Sequence, residues 1–245
     1  MSQFNLQHVV ESQQFDRNLL ELVFTTADMM KADLQGERKL ARFLDGKIMA
    51  SLFYEPSTRT RFSFESAMRR LGGEVITTEN AREFSSASKG ESLADSTRII
   101  NGYADVIVMR HNEAGSAVRA AEISRIPIIN AGDGAGQHPT QALLDVYTIA
   151  DSFPGMNDLK IALVGDLRYG RTVRSLSYLL TKYDDMELIF VAPQVCKMEL
   201  DIKKYLDKYK VPWYEEENLA AVVSEVDCIY MTRVQTERFH SAEDY

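Results

Sequence analysis

Cysteine is scarce. The chain has two, Cys196 and Cys228, in no motif spacing, and four histidines. That set is too small and too scattered for a structural zinc site or a disulfide framework, so two reduced structural thiols are expected. Basic charge is also short, with 28 Lys and Arg against 36 Asp and Glu and a net charge of −8. The deficit argues against a nucleic-acid or anionic-membrane surface, though not against a local cluster of arginines in a cleft. No run of about 18 apolar residues occurs, so no transmembrane helix is expected. The N-terminus has no basic segment followed by an apolar stretch, which predicts a cytoplasmic chain without a signal peptide. Glycine (13) and proline (6) are too few for collagen or low-complexity disorder. What is present is ordinary: 245 residues, 45% hydrophobic and 26% charged. That length suits one large domain or two small ones, with a sizeable core in either case.

Strand-like and helix-like segments alternate, the pattern of an α/β protein with mostly parallel sheets. Residues 5–44 read as helical, and the first clear strand is 47–54 (KIMASLFY). A turn at Glu55-Pro56-Ser57 leads into a helix with Phe64, Ala67, Met68 and Leu71 on one face. Gly72 and Gly73 stop it. Strands follow at 75–78, 105–109 and 126–130, with helices at 91–102 and 114–124. The small polar stretch 84–90 reads as a mobile loop. Residues 131–136 (AGDGAG) are the most glycine-rich in the chain and mark a hinge. A helix opened by Pro139 runs to about residue 152. A second α/β run has strands at 160–165, 187–192, 212–214 and 227–231. The division is therefore into two domains, 1–136 and 137–245.

Ligands of open parallel sheets bind beyond the carboxyl ends of the strands. The first strand ends in Ser57-Thr58-Arg59-Thr60-Arg61, directly before a helix. A helix N-terminus offers free N–H groups and a positive dipole end, and arginine grips phosphate oxygens with parallel bonds. An N-cap needs one hydroxyl, not three interleaved with guanidiniums, so a phosphate site is the stronger reading. Arg110 and His111 end another strand. His138 and Gln141 share a face in the first turn of their helix; a carbonyl donor with an amide partner and a capping His with an exposed Gln are equal readings. Residues 165–172 (GDLRYGRT) imitate a nucleotide P-loop with arginine in the lysine position. Arginine fits that tight loop poorly, and no later strand ends in a clear magnesium-binding Asp. Arg233 and Gln235 alternate after the last strand.

Taken together these segments resemble the aspartate/ornithine carbamoyltransferase family. Ser57-Thr58-Arg59-Thr60-Arg61 is similar to its carbamoyl phosphate motif and His138-Pro139-Thr140-Gln141-Ala142-Leu143-Leu144-Asp145 to its second signature. Residues 165–173 and Met231-Thr232-Arg233-Val234-Gln235 resemble the aspartate branch. The resemblance implies a reaction in which the amine of L-aspartate attacks the carbonyl of carbamoyl phosphate. Phosphate leaves and N-carbamoyl-L-aspartate forms, in pyrimidine biosynthesis, without cofactor or catalytic metal. It implies that Ser57, Thr58, Arg59 and Thr60 hold the phosphate and that Arg110 bridges phosphate and carbonyl. Arg59, Thr60, Arg110 and His138 are then the catalytic set, with Thr60, Arg110 and His138 as donors to the carbonyl oxygen and Gln141 on the carbamoyl NH₂. Arg171, Arg233 and Gln235 would take the two carboxylates of aspartate, a pocket that repels the distal amine of ornithine. Ser85 and Lys89 match residues that the family inserts from a neighbouring subunit, which implies a homotrimer with shared sites. The sequence leaves open whether regulatory chains attach.

Members of the family continue past the point where this chain stops. The resemblance therefore implies an incomplete second domain and weak or no activity of the 245-residue chain. A non-catalytic carbamoyltransferase-like subunit is the alternative.

Overall fold

In a computed structural model, residues 5–79 and 90–233 are described. The chain forms two compact units, 1–140 and 141–245. Unit 1 holds strands β1 (Ile48–Phe53), β2 (Glu74–Glu79), β3 (Val106–His111) and β4 (Ile128–Asp133). They form one parallel sheet in the order β2-β1-β3-β4. Helices α1 (Arg17–Gln35), α2 (Thr58–Arg70), α3 (Leu93–Ile100) and α4 (Ser116–Ile123) accompany it, and α5 (Pro139–Ser152) carries the chain across the division.

β1 is central and nearly all apolar, as a strand covered on both faces must be. Its side chains alternate between two cores. Met49 and Phe53 join Val108 of β3 and Met68 and Phe64 of α2. Ala50, Leu52 and Tyr54 join Ile107, Met109, Ile128 and, from α4, Ala117 and Ala120. Burying each large side chain fully contributes roughly 1.5–3 kcal/mol. The edge strand β2 is mostly exposed and carries Thr77 and Thr78.

Two expectations change here. Residues 5–16 do not continue the first helix. Val9 instead lies beside β4, donating to Ile128 O and accepting from Asn130 N–H, each at 2.8 Å. The glycine-rich stretch is partly strand: β4 runs through Ala131 and Gly132 to Asp133, because Asp133 anchors it by accepting from Gly115 N–H and Gln137 N–H, each at 2.7 Å. Gln137 in turn accepts from Ser12 N–H at 2.8 Å. The chain past Gly136 therefore still belongs to unit 1, and the division falls between Thr140 and Gln141 rather than at 136.

Unit 2 has strands β5 (Lys160–Val164), β6 (Glu187–Val191), β7 (Trp213–Glu216) and β8 (Cys228–Met231), all parallel, in the order β7-β6-β5-β8. Helices α6 (Arg171–Leu180), α7 (Leu200–Lys208) and α8 (Leu219–Val222) complete it. α6 is buried along most of its length and meets α7 through the edge-to-face rings of Tyr178 and Tyr205, 4.7 Å apart. The α8 face of the sheet packs Ala162, Val164, Ile189 and Val191 against Val222. Cys196 is buried and Cys228 half-buried; both are thiols, and burial pushes both up in pKa, away from reactivity. Among the described residues no helix is long and apolar enough to cross a membrane.

Candidate active site

Each sheet has one place where consecutive connections leave in opposite directions, and there a crevice opens at the carboxyl ends of the strands. In unit 1 it lies between β1 and β3, since β2 follows β1 on one side and β4 follows β3 on the other. In unit 2 it lies between β5 and β8. Most of the residues singled out in the sequence leave from those four strands; His138 and Gln141 follow β4.

At the first crevice, Thr58 begins α2 and Ser57 is its N-cap residue, yet the Ser57 hydroxyl makes no capping bond. The donors of the first turn are thus left for an outside acceptor. Arg59 is exposed and Thr60 half-buried. Arg110 pairs in register with Phe53 of β1, and its carbonyl accepts from Tyr54 N–H at 2.8 Å. The β3–β4 register shifts between Met109 and His111. Such an irregularity re-aims the side chain within it. The Arg110 side chain is 11% exposed; Nη2 donates to Glu55 Oε1 at 2.8 Å and Nη1 to Ala131 O at 3.4 Å. Two edges of the group are thereby fixed. Glu55 went unnoticed in the sequence, where its only signal was an acid directly ahead of Pro56-Ser57. His111 does not join this set: its ring packs on Tyr54 at 4.8 Å, and Nδ1 accepts from Glu113 N–H.

The two arginines of α2 part company. Arg61 turns back over the sheet, 3.7 Å from Glu65 and 2.5 Å from Glu79. Glu65 also accepts from Ser51 at 3.0 Å and Thr77 at 2.7 Å, which satisfies the fully buried Ser51 hydroxyl. Arg61 is therefore a brace. Arg61→Met is expected to cost about 1–2 kcal/mol of stability, between exposed and buried pairs, with phosphate affinity within threefold of the parent. Arg59→Met should do the reverse. Urea denaturation and phosphate titration of both variants check this; equal loss of phosphate affinity in both would refute it.

His138 is buried, directly ahead of α5. Thr140 Oγ1 lies 3.3 Å from its Nδ1. When that hydroxyl donates, the ring proton sits on Nε2. One turn on, in unit 2, Gln141 Nε2 donates to Asp145 Oδ1 at 2.9 Å.

At the second crevice Arg171 opens α6 after β5, and exposed Arg233 follows β8. The ends of β5 and β8 are closely joined: Thr232 donates to Val164 O from N–H at 2.8 Å and from its hydroxyl at 3.0 Å. The loop at 165–172 is no phosphate cradle. Its buried Asp166 accepts from Tyr169 N–H at 3.0 Å, and Leu167 N–H donates to Cys196 O at 3.0 Å. A buried carboxylate inside the loop opposes a phosphate, so the nucleotide reading is set aside. Tyr230 of β8 donates to Asp145 Oδ2 at 2.9 Å. Burial, then the Asp145 charge, pushes the Tyr230 phenol up. Burial likewise pushes the Asp145 carboxyl up, against the pull of hydrogen bonds from Gln141 and Tyr230. Ser85, Lys89 and Gln235 lie outside the described residues.

Comparison with known proteins agrees with this arrangement. The family described as "Aspartate/ornithine carbamoyltransferase, carbamoyl-P binding domain" matches residues 7–151. Aspartate carbamoyltransferase 2, chloroplastic, of Pisum sativum is 59% identical over 237 residues, covering 96% of this chain and 61% of the pea protein. The chain thus spans about three fifths of the length of that relative. The aspartate carbamoyltransferase catalytic subunit of Methanocaldococcus jannaschii is 46% identical, covering 98% of this chain and 78% of the archaeal one. A crystal structure of the M. jannaschii catalytic subunit superposes with a TM-score of 0.89 at 45% identity, over 98% of this chain and 78% of that chain. The aspartate transcarbamoylase of Trypanosoma cruzi in complex with carbamoyl phosphate and aspartate superposes with a TM-score of 0.87 at 37% identity, over 94% and 73%. Motifs, paired parallel sheets and these matches together place the chain in the aspartate/ornithine carbamoyltransferase family.

Proposed function

We propose that this chain transfers the carbamoyl group of carbamoyl phosphate to the amine of L-aspartate, giving N-carbamoyl-L-aspartate and phosphate in pyrimidine biosynthesis. One observation carries the reading: each of the two crevices is flanked by two arginines, Arg59 and Arg110 in unit 1, Arg171 and Arg233 in unit 2. A phosphoryl group asks for one such pair and a dicarboxylic amino acid for the other.

The substrate is an acyl phosphate with a good leaving group, so positioning and charge neutralisation suffice. Ser57, Thr58, Arg59 and Thr60 bind the phosphate at the α2 N-terminus. The amine lone pair of aspartate forms the C–N bond and negative charge gathers on the carbonyl oxygen. Thr60, Arg110 and His138 donate to that oxygen, each worth roughly 2.7–4 kcal/mol at the transition state. The C–O bond to phosphate then breaks, and the departing phosphate, which carries the electron pair, takes the ammonium proton. Gln141 holds the carbamoyl NH₂, while Arg171, Arg233 and Gln235 hold the aspartate carboxylates. In the same reading the working form is a cytoplasmic homotrimer, with Ser85 and Lys89 reaching a neighbouring copy's site.

The test is product formation from carbamoyl phosphate with L-aspartate, with L-ornithine as control, alongside calorimetric binding of carbamoyl phosphate to the same 245-residue protein. Binding together with weak, aspartate-specific carbamoylation is expected. Binding without turnover would move the reading to a non-catalytic subunit. Absence of binding would overturn the proposal.

A further inference from the structure

The residues ahead of α1 are tied to the chain just before His138. His8 Nδ1 accepts from Ile128 N–H at 3.1 Å and Val10 O accepts from Asn130 Nδ2 at 3.0 Å, which lays residues 8–10 along β4. Gln14 then folds the segment on itself. Its Oε1 accepts from Val10 N–H at 2.8 Å and from Glu11 N–H at 2.9 Å, and its Nε2 donates to His8 O at 3.1 Å. The strap so formed meets Gln137, whose Oε1 accepts from Ser12 N–H and whose Nε2 donates to Gln13 Oε1, each at 2.8 Å. A backbone N–H can only donate, so the Ser12 bond decides which end of the Gln137 amide faces which partner. The main chain of Gln137 is closed as well, its N–H on Asp133 Oδ1 at 2.7 Å and its carbonyl on Asp133 N–H at 3.2 Å. The next residue is the buried His138.

Resting on the role given to His138 above, we infer that Gln137 is a positioning residue for His138 and that residues 8–14 are the strap that holds it. The groups that meet the acyl phosphate in unit 1 are placed by different parts of the fold. Ser57, Thr58, Arg59 and Thr60 stand at the start of α2, after β1. His138 stands after the turn that follows β4, and the bonds of the strap reach β4 and that turn. Asp133 holds Gln137 by its main chain, and the strap adds an anchor on its side chain. A donor to a developing oxyanion tolerates little displacement, and a misplacement of about 1 Å costs about 10²-fold. Cutting the strap therefore shifts the carbonyl donor while the phosphate donors stay where they are. The residues before α1 thus take part in selectivity: they sharpen the preference for a phosphate that carries an acyl oxygen over bare phosphate.

A merely structural strap would make the same contacts, so the test reads a ratio that stability does not move. Dissociation constants for carbamoyl phosphate and inorganic phosphate are measured on the 245-residue protein and on Gln137→Leu, Gln13→Leu, Gln13→Glu, His138→Ala and the Gln137→Leu/His138→Ala double variant. A loss of folded molecules weakens both ligands alike and leaves their ratio unchanged. The parent is expected to prefer carbamoyl phosphate by roughly 10- to 100-fold, and His138→Ala to lose about 5- to 10-fold of that preference. Gln137→Leu should lose a similar share, with inorganic phosphate bound within about threefold of the parent. The double variant should lose no more than His138→Ala alone, since the two residues act as one unit. Gln13→Leu should lose about threefold, and Gln13→Glu, which keeps an acceptor for Gln137 Nε2, should recover the parental ratio. The Gln13 pair decides the matter if Gln137→Leu does not fold. A parental ratio in Gln137→Leu, or in Gln13→Leu where it stands in, beside a lowered ratio in His138→Ala would overturn the inference. A parental ratio in His138→Ala, or a parent without any preference, would overturn the role given to His138, and this inference with it.

Discussion

An Arg110→Ala variant is expected to bind carbamoyl phosphate roughly 10- to 100-fold more weakly than the parent chain and to turn it over about 10²–10³-fold more slowly. The expectation follows from how the guanidinium is held. Glu55 fixes one terminal nitrogen at 2.8 Å and Ala131 O meets the other at 3.4 Å. The group is therefore aligned before substrate arrives and pays no reorganisation on binding. Its strand position pairs with Phe53 of β1, the strand that leads into α2, where the hydroxyl of Ser57 makes no capping bond. Arg110→Lys should recover little, because a single ammonium cannot keep the Glu55 contact and reach a second anion. Stability should fall by only about 1 kcal/mol, since the Glu55 side chain is 34% exposed and rehydrates when its partner is removed. Calorimetry with carbamoyl phosphate separates the two effects. An affinity within threefold of the parent, in a variant that is folded, would remove Arg110 from the site.

The second large effect concerns stability. Gly165 directly follows β5 with φ +111°, and a Cβ there would lie 2.5 Å from Thr232 Oγ1 and 2.7 Å from Thr232 O. A side chain meets two obstacles at once, a left-handed backbone and the hydroxyl and backbone carbonyl of Thr232. Gly165→Ala should destabilise unit 2 by roughly 2–4 kcal/mol. Gly46 provides the control: its φ is +75° and nothing lies within 4 Å of the added carbon. Gly46→Ala should cost about 1 kcal/mol, the backbone contribution alone. Denaturation curves of the two variants, compared with phosphate binding at the unit 1 crevice, resolve the difference. Equal destabilisation by both substitutions would show that the approach of Thr232 to Gly165 is not a constraint.

The strand exits were legible because a parallel strand covered on both faces is written as a short apolar run, and IMASLF and KIALV are such runs. The crevice residues were legible because they stand directly after those runs. Pairings across the fold were not. Nothing local distinguishes Arg59 from Arg61, yet one is exposed and the other braces Glu65 and Glu79, a choice set by the helical rotation between them. Glu55, Asp145 and Tyr230 act through partners distant in sequence, Arg110, Tyr230 and Asp145 respectively, which single-chain periodicity does not encode. The first dozen described residues misled for a related reason. Their apolar content suited a helix, but the open side of β4 offered Val9 a backbone partner, and pairing there overrode local preference.

The order of strands in unit 2 has a consequence for biogenesis. β5 leads the unit, yet one of its two neighbours is β8, and Lys160 N–H reaches Asp227 across 67 residues at 2.8 Å. A nascent chain leaving the ribosome can zip β6 onto β5 and β7 onto β6 as each appears. The other margin of β5 stays open until residues 228–231 have been translated. Throughout that interval Ile161 and Leu163, fully buried at the end, sit beside a naked row of backbone donors and acceptors. Neighbouring ribosomes on one message carry copies with the same open margin, an arrangement prone to mispairing between chains. The time for which that margin stays open is set by how quickly residues 228–231 arrive.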